Sequence, residues 1–266
     1  MKNYSPKITA CCLVCNEERW IWYSIMSVLD FVDEILVWDT GSADKTSEII
    51  KSIKSSKIKF REVGIVDAQT FTQMRNQMLS EVKTDWILIL DGDEIWTDEA
   101  THESKLLMNS NANYLINTYF NLLGDVYHFQ NENAGRYKIK SWSGHISIRL
   151  VNKESIFGLH FANPYGSEGL VNGQGVLLQN DEELKTVLVK EKYLHATHLK
   201  RSTNNQAMMR KQKYKYELGN NFPKDFNYPK VFYIPGPQNP WKPRNLSFVF
   251  HSCWQTPLRY LKRLFV

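Results

Sequence analysis

The chain is poor in cysteine and has no long apolar run. Only four of its 266 residues are cysteine, and three of these crowd into Cys11, Cys12 and Cys15. A secreted disulfide framework would spread them along the chain, so reduced thiols in a cytoplasmic protein are expected. The longest clean apolar run is Trp86-Ile87-Leu88-Ile89-Leu90, far short of the ~20 residues that a membrane helix needs. Met1 to Lys7 contains no apolar stretch, so no secretory signal is expected. There is no internal repeat, low-complexity tract, P-loop or dinucleotide glycine fingerprint, so any phosphate chemistry must run through side chains and a metal. With 42% hydrophobic and 23% charged residues, the chain is neither disordered nor collagenous, and its length suits one large domain.

The net charge of +5 is unevenly spread. Residues 1–184 hold 17 Lys+Arg against 25 Asp+Glu, and residues 185–266 hold 16 against 3. An acidic front half suits cation-dependent chemistry, and a basic rear suits an anionic partner.

The first third alternates strand and helix patterns. Ile8 to Val14 is an apolar run of the kind a buried parallel strand shows, and Glu34 to Trp38, Ile58 to Val63 and Trp86 to Leu90 read as further strands. Between them, apolar residues recur at helical spacing from Trp20 to Leu29, from Asp44 to Ile53 (with Ser42 or Asp44 as cap) and from Thr70 to Val82. This order implies βαβ units and a parallel sheet, whose ligands bind beyond the carboxyl ends of the strands. Farther on, Asn113 to Leu122, Ile139 to Val151, Gly169 to Leu178 and Thr186 to Leu194 read as strands, and Thr203 to Leu218 as a helix ending at Gly219. Residues 220–245, with six prolines, read as an ordered loop wrap or a linker. From Thr256, as cap, and Pro257 to Val266 the pattern is a short basic amphipathic helix.

Three polar clusters follow the strands. Asp91-Gly92-Asp93 is the sharpest. Paired carboxylates there supply hard oxygen ligands for Mg²⁺ or Mn²⁺, and Gly92 lets a diphosphate approach the backbone. Taken alone, the same residues describe an acidic turn about equally well. Asp39-Thr40-Gly41-Ser42 and Asn16-Glu17 end strands in the same way, where a carboxylate can meet a base or ribose or simply cap a turn. Arg75 lies mid-helix and reads as a phosphate partner or as part of a solvated face. His195 and His198 follow a strand-like run; an imidazole there would complete a metal site with Asp93, though an isolated histidine is more often packed. Cys12-x-x-Cys15 has redox spacing, but small buried strand residues explain it better.

Together, Asn16-Glu17-Glu18-Arg19-Trp20-Ile21, Asp39-Thr40-Gly41-Ser42-Ala43-Asp44-Lys45-Thr46, Arg75-Asn76 and Asp85-Trp86-Ile87-Leu88-Ile89-Leu90-Asp91-Gly92-Asp93-Glu94 resemble the family 2 glycosyltransferases of GT-A fold. The resemblance is to the bacterial branch that builds lipopolysaccharide core and other surface glycans. It is close over residues 7–100 and fainter through Arg149-Leu150-Val151, Phe157-Gly158-Leu159-His160 and His195. It implies an α/β GT-A-type single domain: a mainly parallel, Rossmann-like sheet flanked by helices, a smaller mixed β part and a helical C-terminal extension. Residues 1–100 would bind the nucleotide-sugar, 101–200 the acceptor, and 201–266 would be the basic extension. It implies transfer of a sugar from a nucleotide-diphosphate sugar, UDP-linked by preference, to a hydroxyl of a glycan or lipid-linked acceptor, with inversion and with Mn²⁺ or Mg²⁺.

The same resemblance implies the roles of residues. Asn16, Glu17 and Asp39 would hold base and ribose, Arg75 would order the donor, and Asp91 would face the ribose or the metal's water. Asp93, with Asp91 and His195, would hold the metal, with His198 in reserve. Two positions depart from the pattern: Thr40 stands where many relatives have a second Asp, and His160-Phe161 where they have His-Glu. That departure leaves Glu168 as first candidate for the base that takes the acceptor's proton, ahead of Glu182 and Glu183. The basic end suggests peripheral contact with an anionic membrane from the cytoplasmic side, or with a polyanionic acceptor glycan; no nucleic acid is expected. A sugar nucleotidyltransferase, an inactive nucleotide- or glycan-binding module and a thioredoxin-like protein remain as rivals.

Overall fold

A computed structural model describes residues 6–203 and 215–264 of the chain. In the first hundred residues, strand and helix alternate as β1 (Ile8–Val14), α1 (Ile21–Val28), β2 (Glu34–Asp39), α2 (Thr46–Ser52), β3 (Ile58–Glu62), α3 (Ala68–Glu81) and β4 (Trp86–Ile89). The strands pair in parallel, in the order β3-β2-β1-β4. Alternation puts successive side chains on opposite faces, and both faces are covered. Ala10, Cys12, Val14, Ile35, Val37 and Leu88 meet Ile21, Ile25 and Val28 of α1. Leu13, Leu36, Trp38, Ile87 and Ile89 meet Phe71, Met78 and Leu79 of α3.

The second half continues with β5 (Glu94–Ile95), α4 (Asp98–Leu107), β6 (Tyr114–Leu123), β7 (Asp125–Phe129), β8 (Tyr137–Ile139), β9 (Trp142–Gly144), β10 (Ile146–Asn152), β11 (His160–Ala162), β12 (Gly169–Val171) and β13 (Thr186–His195). β10 lies antiparallel between β4 and β6, so one sheet runs through both halves. β13 runs parallel to β6 and also pairs with β5, placing His195 opposite Glu94. The last elements are β14 (Asn220–Asn221), against β7, and α5 (Leu246–Leu264). This is the α/β, GT-A-type arrangement expected, with its smaller mixed β part and helical C-terminal extension.

Several elements differ from the reading of the sequence. The run Ile139 to Val151 is not one strand, because the chain reverses between Ile139 and Trp142 and forms the β8–β9 hairpin before β10. Lys140 adopts a left-handed conformation at that reversal, and its ammonium donates to the carbonyls of Asp181 and Leu184. The strand from Gly169 stops at Val171, where Asn172 Oδ1 accepts from the amides of Gln174 and Val176 and closes a turn. The cap of α2 is Lys45 and uses no side chain; Ser42 Oγ accepts instead from Asn16 N, and Asp44 Oδ1 from Thr46 N. Residues 204–214 of the helix expected from Thr203 to Leu218 lie outside the described residues, and 215–218 are not helical. Residues 220–245 form an ordered wrap whose Val231 and Phe232 are buried with Tyr23 and Leu194.

The C-terminal helix starts eleven residues earlier than expected, at Leu246 rather than Pro257, and Pro257 lies inside it. Thr256 is no cap, since its hydroxyl accepts from Leu218 N, 2.9 Å away. An interior proline removes one helical hydrogen bond, and contacts with the body hold the helix through it. Arg263 pairs in bidentate fashion with the buried Glu217, and Phe248 packs against Gly124.

Candidate active site

The carboxyl ends of β1, β2 and β4 share one edge, because the strands are parallel and adjacent. Asp39 closes β2 in register with Val14 of β1, and Asp91 follows β4. A cleft of about 270 Å³ opens there, lined among others by Glu17, Arg75, Asp91, Asp93, Glu168 and His195. Six of the eight residues singled out by the sequence therefore face one space. Asn16 and Asp39 stand just behind it.

Asn16 acts as a stitch between loops. It is buried in a left-handed conformation, its amide donates to Ser42 Oγ and its Oδ1 accepts from Ala43 N, both at 2.8 Å. Glu17 N donates to Thr46 Oγ1, also at 2.8 Å. Asp39 Oδ1 accepts from Ser42 N at 2.7 Å, while its Oδ2 is buried with no hydrogen-bond partner among the described residues. Burial raises the Asp39 carboxyl above its usual value, although hydrogen bonds from Ser42 and Gly41 oppose this. A donor hydroxyl or N–H would satisfy the free oxygen.

Asp91 and Asp93 leave the strand in different directions and have different partners. Asp91 lies between two guanidinium groups, with Arg75 Nη2 at 3.3 Å and Arg149 Nη2 at 2.7 Å. Burial would raise its pKa, but Arg149 and then Arg75 hold it below the ordinary aspartate value. Arg149 also pairs with the fully buried Glu94, which accepts from Tyr193 OH at 2.8 Å. Arg75 is not on a solvated face; it is largely buried, with its guanidinium over the rings of Phe71 and Phe161.

Asp93 faces His195 Nε2 at 3.5 Å and Arg201 Nη1 at 3.3 Å. Burial opposes ionisation, but His195, and after it Arg201, keep this carboxyl far below the usual range. His195 in turn is raised by Asp93 against its own burial. Gly92 fits between the two carboxylates because a Cβ would come within 3.0 Å of Val14 and 3.1 Å of Glu17. Its lack of a side chain thus also keeps Glu17 close to the motif.

The expected metal trio of Asp91, Asp93 and His195 is only partly assembled. Asp93 and His195 converge, but Asp91 is held by its arginines, and no group of three or more metal-ligating side chains forms among the described residues. One carboxylate and one imidazole still fit a Mg²⁺- or Mn²⁺-type ion, which takes its other ligands from water and substrate phosphates. His195 Nδ1 and Glu17 Oε2, both buried and without hydrogen-bond partners among the described residues, add polar capacity beside them.

Glu168 reaches the cleft from the loop before β12, partly exposed, and accepts from Gly166 N. Glu182 and Glu183 are exposed and do not line the cleft, and His198 is buried away from it. The cysteines are free thiols, and burial pushes Cys12 well above its ordinary value and Cys11 up to about 12. Reactive redox thiols show the opposite shift.

Comparison with known proteins places the chain in a family. The family description "Glycosyl transferase family 2" matches residues 9–144. The chain belongs to this family. Among curated proteins, it is 34% identical over 97 residues to a TPR repeat-containing protein of Synechococcus elongatus, covering 35% of this chain and 23% of that one. It is 31% identical over 99 residues to the glycosyltransferase SunS of Bacillus phage SPbeta, covering 37% and 22%. The matched segment thus spans less than a quarter of either relative. Among solved structures, Staphylococcus aureus TarS 1-349 in complex with UDP-GlcNAc aligns with a TM-score of 0.47 and 13% identity, over 71% of this chain and 58% of that one.

Four side chains that join the cleft's charge network were given no role by the reading of the sequence. Arg149 was visible as a lone charge in the apolar strand run Ile146 to Val151, but nothing linked it to Asp91. Glu94 and Tyr193 meet only through the β5–β13 pairing. Arg201 sits in a basic stretch and carries no signal of its own.

Proposed function

We propose that this family 2 glycosyltransferase domain moves a sugar from a nucleoside-diphosphate donor, UDP-linked by preference, to a hydroxyl of a glycan or lipid-linked acceptor, with inversion. The observation that carries this reading is the meeting of Glu17, Asp91, Asp93 and His195 in one cleft, with Asp39 at the same sheet edge. Asp39 and Glu17 take the nucleoside, with the unpartnered Asp39 Oδ2 as acceptor for a ribose hydroxyl or base N–H. Asp93 and His195 hold Mn²⁺ or Mg²⁺, which when bound neutralises charge on the leaving diphosphate. Arg75 orders the donor side and keeps Asp91 ionised. Glu168 removes the acceptor hydroxyl's proton as that oxygen attacks the anomeric carbon from the face opposite the diphosphate. Residues 1–100 serve as donor half and 101–200 as acceptor half of one domain, which fits their shared sheet.

Residues 201–266 form the basic extension, which we read as a peripheral contact with an anionic membrane. No helix among the described residues is long and apolar enough to cross a bilayer. α5 instead turns Leu246, Phe250, Trp254, Leu258 and Leu261 to solvent, Leu246 at 88% and Trp254 at 70% exposure. It carries Arg259, Lys262 and Arg263 and no acidic residue. Apolar and cationic groups on one helix suit the headgroup region of anionic lipid.

A thermal-shift screen of nucleoside diphosphates with and without Mn²⁺ tests the donor reading through ligand-linked stabilisation. UDP with Mn²⁺ is expected to raise the melting temperature more than either alone. Absence of a shift with every nucleotide would remove the donor site.

A further inference from the structure

Arg201 bridges two acidic corners of the cleft at once. Its Nη1 lies 2.8 Å from Glu17 Oε1 and 3.3 Å from Asp93 Oδ2. Those carboxylates belong to different loops, one after β1 and one after β4, and both residues are more than nine-tenths buried. Two carboxyl groups so enclosed resist ionising together unless a cation stands between them; burial raises Glu17 well above its ordinary value, and Arg201 opposes that rise. In this structure that cation is a guanidinium.

The backbone delivers it there. Arg19 N donates to the Arg201 carbonyl at 3.1 Å, and Trp20 Nε1 to the Lys200 carbonyl at 3.0 Å. The next two residues are tied down as well, Ser202 Oγ to Asp44 Oδ2 at 2.5 Å and Thr203 N to Glu18 Oε1 at 2.7 Å. Residues 200–203 therefore form a strap across the loops after β1 and β2. Its one inward side chain in the cleft lining is Arg201. The fit is incomplete, since Arg201 Nε and Glu17 Oε2 are both buried without hydrogen-bond partners among the described residues. A guanidinium offers five donors, and planar anions such as phosphate use them in pairs.

We infer that Arg201 is a built-in counter-ion that competes with the divalent cation for Asp93. In the donor-free protein it holds the Glu17 carboxyl and balances the charge of Asp93. Cation binding at Asp93 displaces it from that carboxylate, and the released guanidinium meets the donor's diphosphate. The inference rests on the donor reading above. Cation and nucleotide then favour each other's binding, and the enhancement is reciprocal by linkage.

Mn²⁺ titration followed by electron paramagnetic resonance, on the whole protein with and without UDP, tests this. Wild-type protein is expected to bind Mn²⁺ weakly alone and about tenfold more tightly with UDP, within the usual range of such couplings. Arg201→Gln is expected to bind Mn²⁺ alone about tenfold more tightly than wild type, with the UDP enhancement largely lost. Arg201→Lys keeps the charge and is expected to bind Mn²⁺ alone as weakly as wild type. It also carries the test if the glutamine variant does not fold. Mn²⁺ binding by Arg201→Gln no tighter than by wild type overturns the inference, as does a tenfold gain in Arg201→Lys. The readout is metal occupancy, so it stands apart from sugar transfer by wild-type protein, which reports on the donor reading.

Discussion

The parallel half and the C-terminal wrap use hydrophobic residues in opposite ways. Whereas β3 at the sheet edge is largely polar and open, in β1, β2 and β4 apolar side chains point to both faces, and helices cover each face, so these strands are enclosed. Polar chemistry is confined to their ends. In residues 215–264 the wrap buries Phe222, Val231 and Phe232 against the body, while α5 buries Phe248 but leaves an apolar stripe uncovered. A region that buries everything holds charges rigidly at its rim, and a region that leaves a stripe outside has something else to meet.

The sharpest break in this contrast would come from Asp93→Ala. Loss of transfer by at least about 100-fold is expected, with a melting temperature close to wild type, in a sugar-transfer assay run beside thermal unfolding. Retained turnover would mean that the rim of the sheet is not where the chemistry lies. Next in size is a pair of truncations. Leu88→Ala, in the enclosed strand β4, should lower unfolding free energy by about 2–5 kcal/mol, whereas Leu258→Ala on α5 should change it by no more than about 0.5 kcal/mol. Denaturant titration of both proteins measures the difference, and equal losses would show that α5 is covered.

Vesicle sedimentation probes the uncovered stripe directly. Trp254→Glu should weaken binding to anionic vesicles by about tenfold or more, since a large apolar anchor is exchanged for a repelled charge, without moving the melting temperature. Unchanged binding would leave the stripe without a lipid partner. The smallest effect concerns the inner side of α5. Burial would raise Glu217, but the bidentate bond from Arg263 outweighs it and holds the carboxyl below the ordinary glutamate value. A depressed carboxyl stabilises the fold above its unfolded pKa, and that stabilisation is lost as pH falls through the folded value. Wild type should therefore exceed Arg263→Ala in stability by about 1 kcal/mol near neutrality, with the gap closing in acid. Denaturant midpoints at a series of pH values test the sign.

Much of the parallel half was legible because its rule is local. Alternating apolar runs bounded by Asp-Thr-Gly-Ser and Asp-Gly-Asp gave strands within a residue or two, and parallel pairing then forces Asp39 and Asp93 to one edge. The partners of those carboxylates were not legible, since they depend on contacts between distant segments. Arg149 reaches Asp91 because β10 inserts beside β4, and Arg201 reaches Asp93 because the strap folds back over the loops after β1 and β2. The start of α5 was misread for a related reason. Thr256-Pro257 has the form of a helix start, but a tertiary hydrogen bond to Leu218 N takes the threonine hydroxyl, and the helix runs through the proline.

The position of Arg149 bears on how such domains can be recombined. It stands on β10 in the second half of the sheet, yet its guanidinium grips a carboxylate just after β4 and, through Glu94 and Tyr193, reaches the strand that ends at His195. A chimera that exchanged residues 101–200 for another lineage's would leave Asp91 with Arg75 alone and Glu94 without a guanidinium, unless the incoming strand brought an arginine at the same register. The seam between the halves is thus an electrostatic lock, and new specificities are more readily grafted around it than across it.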